Sequence, residues 1–253
     1  MNIGIAFEGC GCRAAFHVGV MEWLAERGLQ PAAVTGASSG SLVAAAVAFG
    51  RVRVMRPSWL EYFGTRVFQK HRLLRGRWPF VMTEIVSAAS HRHFGDVSMP
   101  DTPIPLGIVV TQWRGAGLRR RLITARDPIP VPRAILASCF IPGPYSRMFP
   151  IDQRPTFDGA WFARVPIDEM QALGVSRVIA CVGDDRGRLL RGVLGRKPMP
   201  APQADYRVLS PVAPLPIGAF DFDPDGTLAS FQIGRRSAET FVSLHERWIA
   251  DAS

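Results

Sequence analysis

Apolar positions follow two rhythms in the first fifty residues. The run over 2–7 is nearly unbroken, as a strand buried on both faces requires. Over 13–27, Phe16, Val20, Trp23 and Leu24 recur at helical spacing until Gly28 stops the pattern. A short run at 32–35 and a small-residue helix at 39–49, ended by Gly50, complete the order strand, helix, strand, helix. That order marks parallel βα units whose helices cover a sheet. Residues 104–113 and 118–124 read as two strands joined by Arg114-Gly115-Ala116-Gly117, hence a hairpin. Residues 177–182 form another buried strand, 206–209 a weaker one, and 227–250 a long amphipathic helix. The stretch 184–203, rich in Arg, Gly and Pro, reads as a mobile loop. The predicted class is α/β, three-layered α/β/α around a mainly parallel central sheet.

Composition narrows this further. A chain of 253 residues, 47% hydrophobic, excludes disorder and can bury one core, so 1–253 reads as a single domain. The longest apolar run, 42–49, falls far short of the roughly 20 residues that span a bilayer. The N-terminus has no basic leader segment, so the expected location is cytoplasmic. The net charge of +9 is carried by 28 Arg against 2 Lys. An anionic partner explains that excess, and so does arginine-rich codon usage. Cys10, Cys12, Cys139 and Cys181 match neither a disulfide framework nor zinc-ligand spacing and read as reduced thiols; no metal or organic cofactor is expected.

Three short motifs carry chemistry. Gly9-Cys10-Gly11-Cys12-Arg13-Ala14 falls between a strand and a helix, where exposed backbone N–H groups favour negative charge. It fits a dinucleotide turn, an oxyanion hole or a plain tight turn. A dinucleotide turn wants a carboxylate at the end of the next strand, and that strand ends instead in Thr35-Gly36-Ala37-Ser38. Gly36-Ala37-Ser38-Ser39-Gly40 is a serine between glycines at a strand-to-helix turn, the pattern of a nucleophile elbow. Ser39 and Ser41 read as first-turn helix residues bonding the backbone. Phe157-Asp158-Gly159-Ala160 is a turn by composition, but it supplies the carboxylate that a serine nucleophile needs.

Together, in this order, the three motifs resemble the patatin-like phospholipase family. The run Ala137-Ser138-Cys139-Phe140-Ile141-Pro142-Gly143 before the aspartate and Pro166-Ile167-Asp168 after it are similar to the family as well. The resemblance covers 1–50 and about 134–182, with a weak echo at 231–241. It implies a three-layer fold and a serine–aspartate dyad without histidine, carried over to Ser38 and Asp158. It also implies an oxyanion hole of backbone amides, carried over to Gly9, Cys10, Gly11, Cys12 and Arg13, with Gly36, Gly40 and Gly159 as motif support. Cys10 and Ala14 stand where the family has glycine, so Cys10 must hold a φ that tolerates a Cβ.

The implied activity is serine acyl hydrolysis of lipid esters, of the phospholipase A or lysophospholipase kind. Thioesterase or carboxylesterase action on the same dyad, or a catalytically silent membrane- or nucleotide-binding protein, are the alternatives. An aspartate ordinarily ionises near pH 4, too low for a good base at neutrality, so Asp158 is expected in a semi-apolar pocket walled by Phe157 and Trp161. A Ser38–Asp158–His245 triad matches α/β-hydrolase chain order, but too few strands precede Ser38 and His245 falls within the last helix. His17 is placed near the pocket, and His71, His91 and His93 on the surface.

Residues 51–80 carry seven Arg and one Lys against the single acid Glu61, interleaved with Trp59, Tyr62, Phe63, Phe68, Trp78 and Phe80. That mixture suits a lid or interfacial insertion within 51–103 that touches an anionic membrane surface, and equally a helix with core aromatics and solvated arginines. No nucleic-acid-binding pattern accompanies it, so the expected partner is a lipid or acyl ester.

Overall fold

The computed structural model describes residues 2–192 and 197–251. Its first half runs β1 (Gly4–Phe7), α1 (Ala15–Glu26), β2 (Ala33–Ala37), α2 (Ser39–Ala48), α3 (Val52–Leu60) and α4 (Met82–Phe94). The hairpin β3 (Leu106–Arg114) and β4 (Gly117–Ile123) leads to α5 (Val131–Cys139) and the short β5 (Thr156–Phe157). Then come β6 (Arg177–Cys181), β7 (Leu190–Arg191), β8 (Lys197–Pro198), β9 (Asp205–Leu209), α6 (Pro224–Leu244) and α7 (Glu246–Ala250).

The main sheet has the order β4-β3-β2-β1-β6-β9, with β5 paired to β3. Strands β3, β2, β1, β6 and β9 are parallel neighbours, and β4 and β5 run antiparallel to β3. Alternation sorts each central strand onto two cores. Ile5, Phe7, Ile179 and Cys181 face the large core under α1, α2, α5 and α6. Ala6, Val178 and Ala180 face a smaller one closed by Val165, Ile167 and Met170. The fold is therefore a three-layer α/β/α sandwich whose second outer layer is thin, a 3-10 helix at Asp168–Leu173.

Several boundaries differ from the sequence reading. The first helix opens as a 3-10 turn, Gly11–Ala14, before α1. The last helix starts at Pro224, N-capped by the Asp223 carboxylate, and breaks at His245 rather than running to 250. Helix α5 and strand β5 had no counterpart in the periodicity. The stretch 184–203 is not all loop, because β7 and β8 pair within it; residues 193–196 lie outside the described ones. No helix among the described residues is long and apolar enough to cross a membrane.

Candidate active site

Loops at the C-terminal ends of β1 and β2 carry the first two motifs, where ligands of parallel α/β sheets gather. Ser38 stands between β2 and α2 at φ 50°, ψ −130°, a conformation costly for a residue with a Cβ. The turn can be this sharp because its flanks lack side chains. A Cβ on Gly36 would lie 2.4 Å from the Gly40 carbonyl oxygen, and one on Gly40 2.4 Å from that of Phe7. Two hydrogen bonds hold the elbow: the Ser41 hydroxyl donates to the Ser38 carbonyl at 2.6 Å, and the Ser38 N–H donates to Ser138 Oγ at 2.9 Å.

Asp158 reaches the same point from 120 residues further along the chain. Ser38 Oγ donates to Asp158 Oδ2 at 2.6 Å, and the Ala160 N–H donates to Oδ1 at 2.7 Å. Its main chain is clamped by two further bonds, Asp158 N–H to Phe140 C=O at 2.8 Å and Thr111 Oγ1 to Asp158 C=O at 2.8 Å. Gly159 passes so close to β3 that a Cβ would lie 2.1 Å from the Val109 carbonyl oxygen. Asp158 is fully buried, whereas Ser38 keeps 8% of its surface open. Burial lifts the carboxyl to about 7, opposed by the Ser38 and Ala160 hydrogen bonds and the Arg164 charge. The apolar surroundings are not the ones expected: Phe157 and Trp161 stack on each other, ring centres 5.3 Å apart, and neither lines the cavity.

The glycine-rich loop lies beside the dyad. Cys10 has φ −137°, which accommodates its Cβ, and Ala14 is helical and fully buried, so both departures from glycine are tolerated. The expectation of donors along the whole loop is corrected at two positions. The Gly9 and Cys12 N–H groups are spent on the Arg164 and Ala219 carbonyls, each at 2.9 Å. The Cys10 N–H donates to Ser39 Oγ at 3.1 Å, a side chain that can rotate away. Arg13 anchors the loop by donating from its guanidinium to the Gly183 carbonyl.

A cavity of about 160 Å³ opens at the dyad. Ser39, Leu42 and Ala46, on one face of α2, form its floor. Its roof is α3 with Met55 and Trp59, and α4 with Met82, Ile85 and Ala89, so segment 51–103 covers the site. Cys139 and Tyr145 close the end near Asp158.

Of the histidines, His71 and His91 are exposed as expected, and one departs from the expectation. His17 is buried between the Phe7 and Phe16 rings, outside the cavity lining, and burial pushes it down to about 3. His245 packs on Phe241 at the α6–α7 break and does not line the cavity, so no triad forms through it. His93, expected on the surface, does line it and hydrogen-bonds Ser58. Glu8, Cys10 and His17 bring donor atoms within 4.8 Å of one another, the one grouping among the described residues with the makings of a cation site. Glu8 already takes the Arg164 guanidinium at 2.6 Å and the Gly183 N–H, with Arg13 nearby, so arginine supplies the positive charge there. Sequence reasoning gave Ser138 no role of its own, although it stands in the family-like run before the aspartate; its Oγ also donates to Val109 C=O at 2.6 Å.

The patatin-like phospholipase family model matches residues 5–170. Among solved structures, VipD from Legionella pneumophila is similar with TM-score 0.52 and 12% identity, over 96% of this chain and 67% of that one. The type III effector protein ExoU is similar with TM-score 0.50 and 14% identity, over 96% of this chain and 53% of that one. The chain thus spans about two thirds of the first and about half of the second. Both likenesses speak to the fold alone. The elbow, the glycine-rich loop and the aspartate turn all lie inside the matched stretch, and the chain belongs to the patatin-like phospholipase family, a family of lipid hydrolases.

Proposed function

We propose that this protein is a serine acyl hydrolase acting on lipid acyl esters, with Ser38 as nucleophile and Asp158 as general base. The 2.6 Å hydrogen bond from Ser38 Oγ to Asp158 Oδ2, at a strained elbow on the wall of an apolar cavity, carries this reading. Ser38 Oγ attacks the ester carbonyl carbon as its proton passes to Asp158. The carbonyl oxygen becomes an oxyanion held by the Cys10 and Gly11 amides, each worth roughly 3–4 kcal/mol in comparable sites. Collapse expels the alcohol, which takes the proton from Asp158, and leaves an acyl-serine. Water then gives a proton to Asp158 and attacks the acyl carbon; the acid departs and the proton returns to Ser38.

An apolar floor and roof suit a fatty chain better than a polar acyl group. The chain acts as one unit in this reading, with 51–103 as the roof. Beyond that roof, Phe68, Leu73, Leu74 and Trp78 are exposed, Leu74 by 90%, amid the exposed Arg66, Lys70, Arg75 and Arg77. Apolar side chains among cations suit docking on an anionic lipid surface. A fluorophosphonate probe tests the chemistry: it should label the wild type and not Ser38→Ala. Labelling that persists in Ser38→Ala rejects the assignment.

A further inference from the structure

The two roof helices present regular stripes to the cavity. On α3 these are Val54, Met55, Ser58 and Trp59; on α4 they are Ile85, Val86, Ala89 and His93. Spacings of three and four residues put each set on one helical face. Each stripe is apolar except at one position, Ser58 on α3 and His93 on α4, and these two side chains hydrogen-bond each other. Ser58 and His93 are half-buried and Arg51 beside them is exposed, so the pair marks an end of the cavity that water reaches, where a polar head and not a hydrocarbon chain finds partners.

Arg51 joins them. It lines the same cavity, its guanidinium carbon lies 5.6 Å from the Phe49 ring centre and 6.0 Å from that of Phe94, and its charge is felt by His93. The nearby Arg92 is paired with Glu61, but no carboxylate among the described residues forms an ion pair with Arg51. The position of this cluster follows from α2. Ser38 precedes the helix and Arg51 follows it, so ten helical residues, about 15 Å, separate the dyad from the cation. The cavity floor of Ser39, Leu42 and Ala46 runs along that axis.

We propose that Arg51, Ser58 and His93 form an anion-binding subsite that holds the carboxylate or phosphate head of a single-chain amphiphile, its chain lying along α2 toward Ser38. A guanidinium fork with a hydroxyl and an imidazole beside it matches the several acceptor oxygens of such a head. The acyl-hydrolase reading enters only in deciding which end of the ligand meets Ser38; head-group binding stands apart from it.

Calorimetric titration of the wild-type protein with dodecanoate and with dodecanol tests the subsite. Dodecanoate should bind about tenfold more tightly, and Arg51→Gln should erase that advantage while leaving dodecanol unchanged. Arg51→Lys should keep part of it, and Ser58→Ala should lower it without touching the charge. Equal affinity of the two ligands for the wild type, or dodecanoate affinity unaltered in Arg51→Gln, overturns the proposal. Two hydrolytic arms identify the source of the head. If it belongs to the substrate, half esters of dodecanedioic acid are cleaved about tenfold better than neutral dodecanoate esters, and Arg51→Gln removes the difference. If it belongs to a free amphiphile, dodecanoate competes with a short soluble ester and the half ester has no advantage. Should the protein cleave no ester at all, the catalytic reading fails while the titrations still decide the subsite.

Discussion

Replacing Asp158 by Asn makes the cost of burying this carboxyl, the proposed base, measurable. In the folded chain this carboxyl ionises at about 7, against 3.8 for a free aspartate. Between those two values the unfolded chain is ionised there while the folded chain holds the proton, so stability from this group falls as pH rises from about 4 to about 7. The gap of about 3 units is worth about 4 kcal/mol, fully lost above pH 7. Asn cannot ionise, keeps the volume and still accepts from the Ala160 N–H. Asp158→Asn should therefore equal the wild type near pH 4 and exceed it by about 4 kcal/mol at pH 8, measured by urea unfolding at each pH. Turnover of a soluble ester should meanwhile drop by roughly a thousandfold, the scale of a lost general base. Wild-type activity should rise with pH through a midpoint near 7. A variant no more stable than the wild type at pH 8, or one that keeps its activity, refutes the argument that a desolvated Asp158 serves as base.

Other perturbations probe its neighbours. Ser138→Ala strands the buried Ser38 N–H and Val109 C=O, so urea unfolding should show a loss of about 1–3 kcal/mol, with kcat reduced as the elbow loosens. Ser39→Ala frees the Cys10 amide from its resting partner; kcat/KM should rise about fivefold, the worth of roughly 1 kcal/mol, and a fall instead would mean that Ser39 itself donates to the oxyanion. Changing Leu73 and Leu74 together to Asp should abolish sedimentation with anionic vesicles and spare turnover of a short soluble ester; equal losses in both assays would sink the docking face.

What could be read from the chain was local. The first two strands announced themselves as short apolar runs and the first two helices as patterns closed by a glycine stop, and the elbow did so because only small residues fit around Ser38. Strand β5 escaped because two residues carry no period. The break at His245 escaped because the apolar stripe continues past it, through Trp248 and Ile249. His93 was placed on the surface by its polar neighbours, although its spacing from Ile85, Val86 and Ala89 set it on the inner face of α4. The loop amides show a different limit. Gly9 and Cys12 look like free donors in sequence, and only the approach of Arg164 and Ala219, far along the chain, satisfies them.

The contact between Ser38 and Asp158 rests on a strand that contributes neither residue. Strand β3 lies beside β2, so its Val109 carbonyl is within reach of Ser138 Oγ, which in turn holds the Ser38 N–H. Two residues on, Thr111 pairs with Phe157 and its hydroxyl fastens the Asp158 carbonyl. Ser38 and Asp158 are thus both measured from the same three residues of one rigid strand, at an offset set by strand rise. A hydroxyl-to-carboxylate distance fixed in this way needs no imidazole between the two groups. Where a histidine base is usually oriented by a third group, here the orientation comes from backbone pairing and two buried hydroxyls. The burial that makes this arrangement rigid is the same burial that raises the Asp158 carboxyl to about 7, so the proposed base would owe its position and its basicity to one packing event.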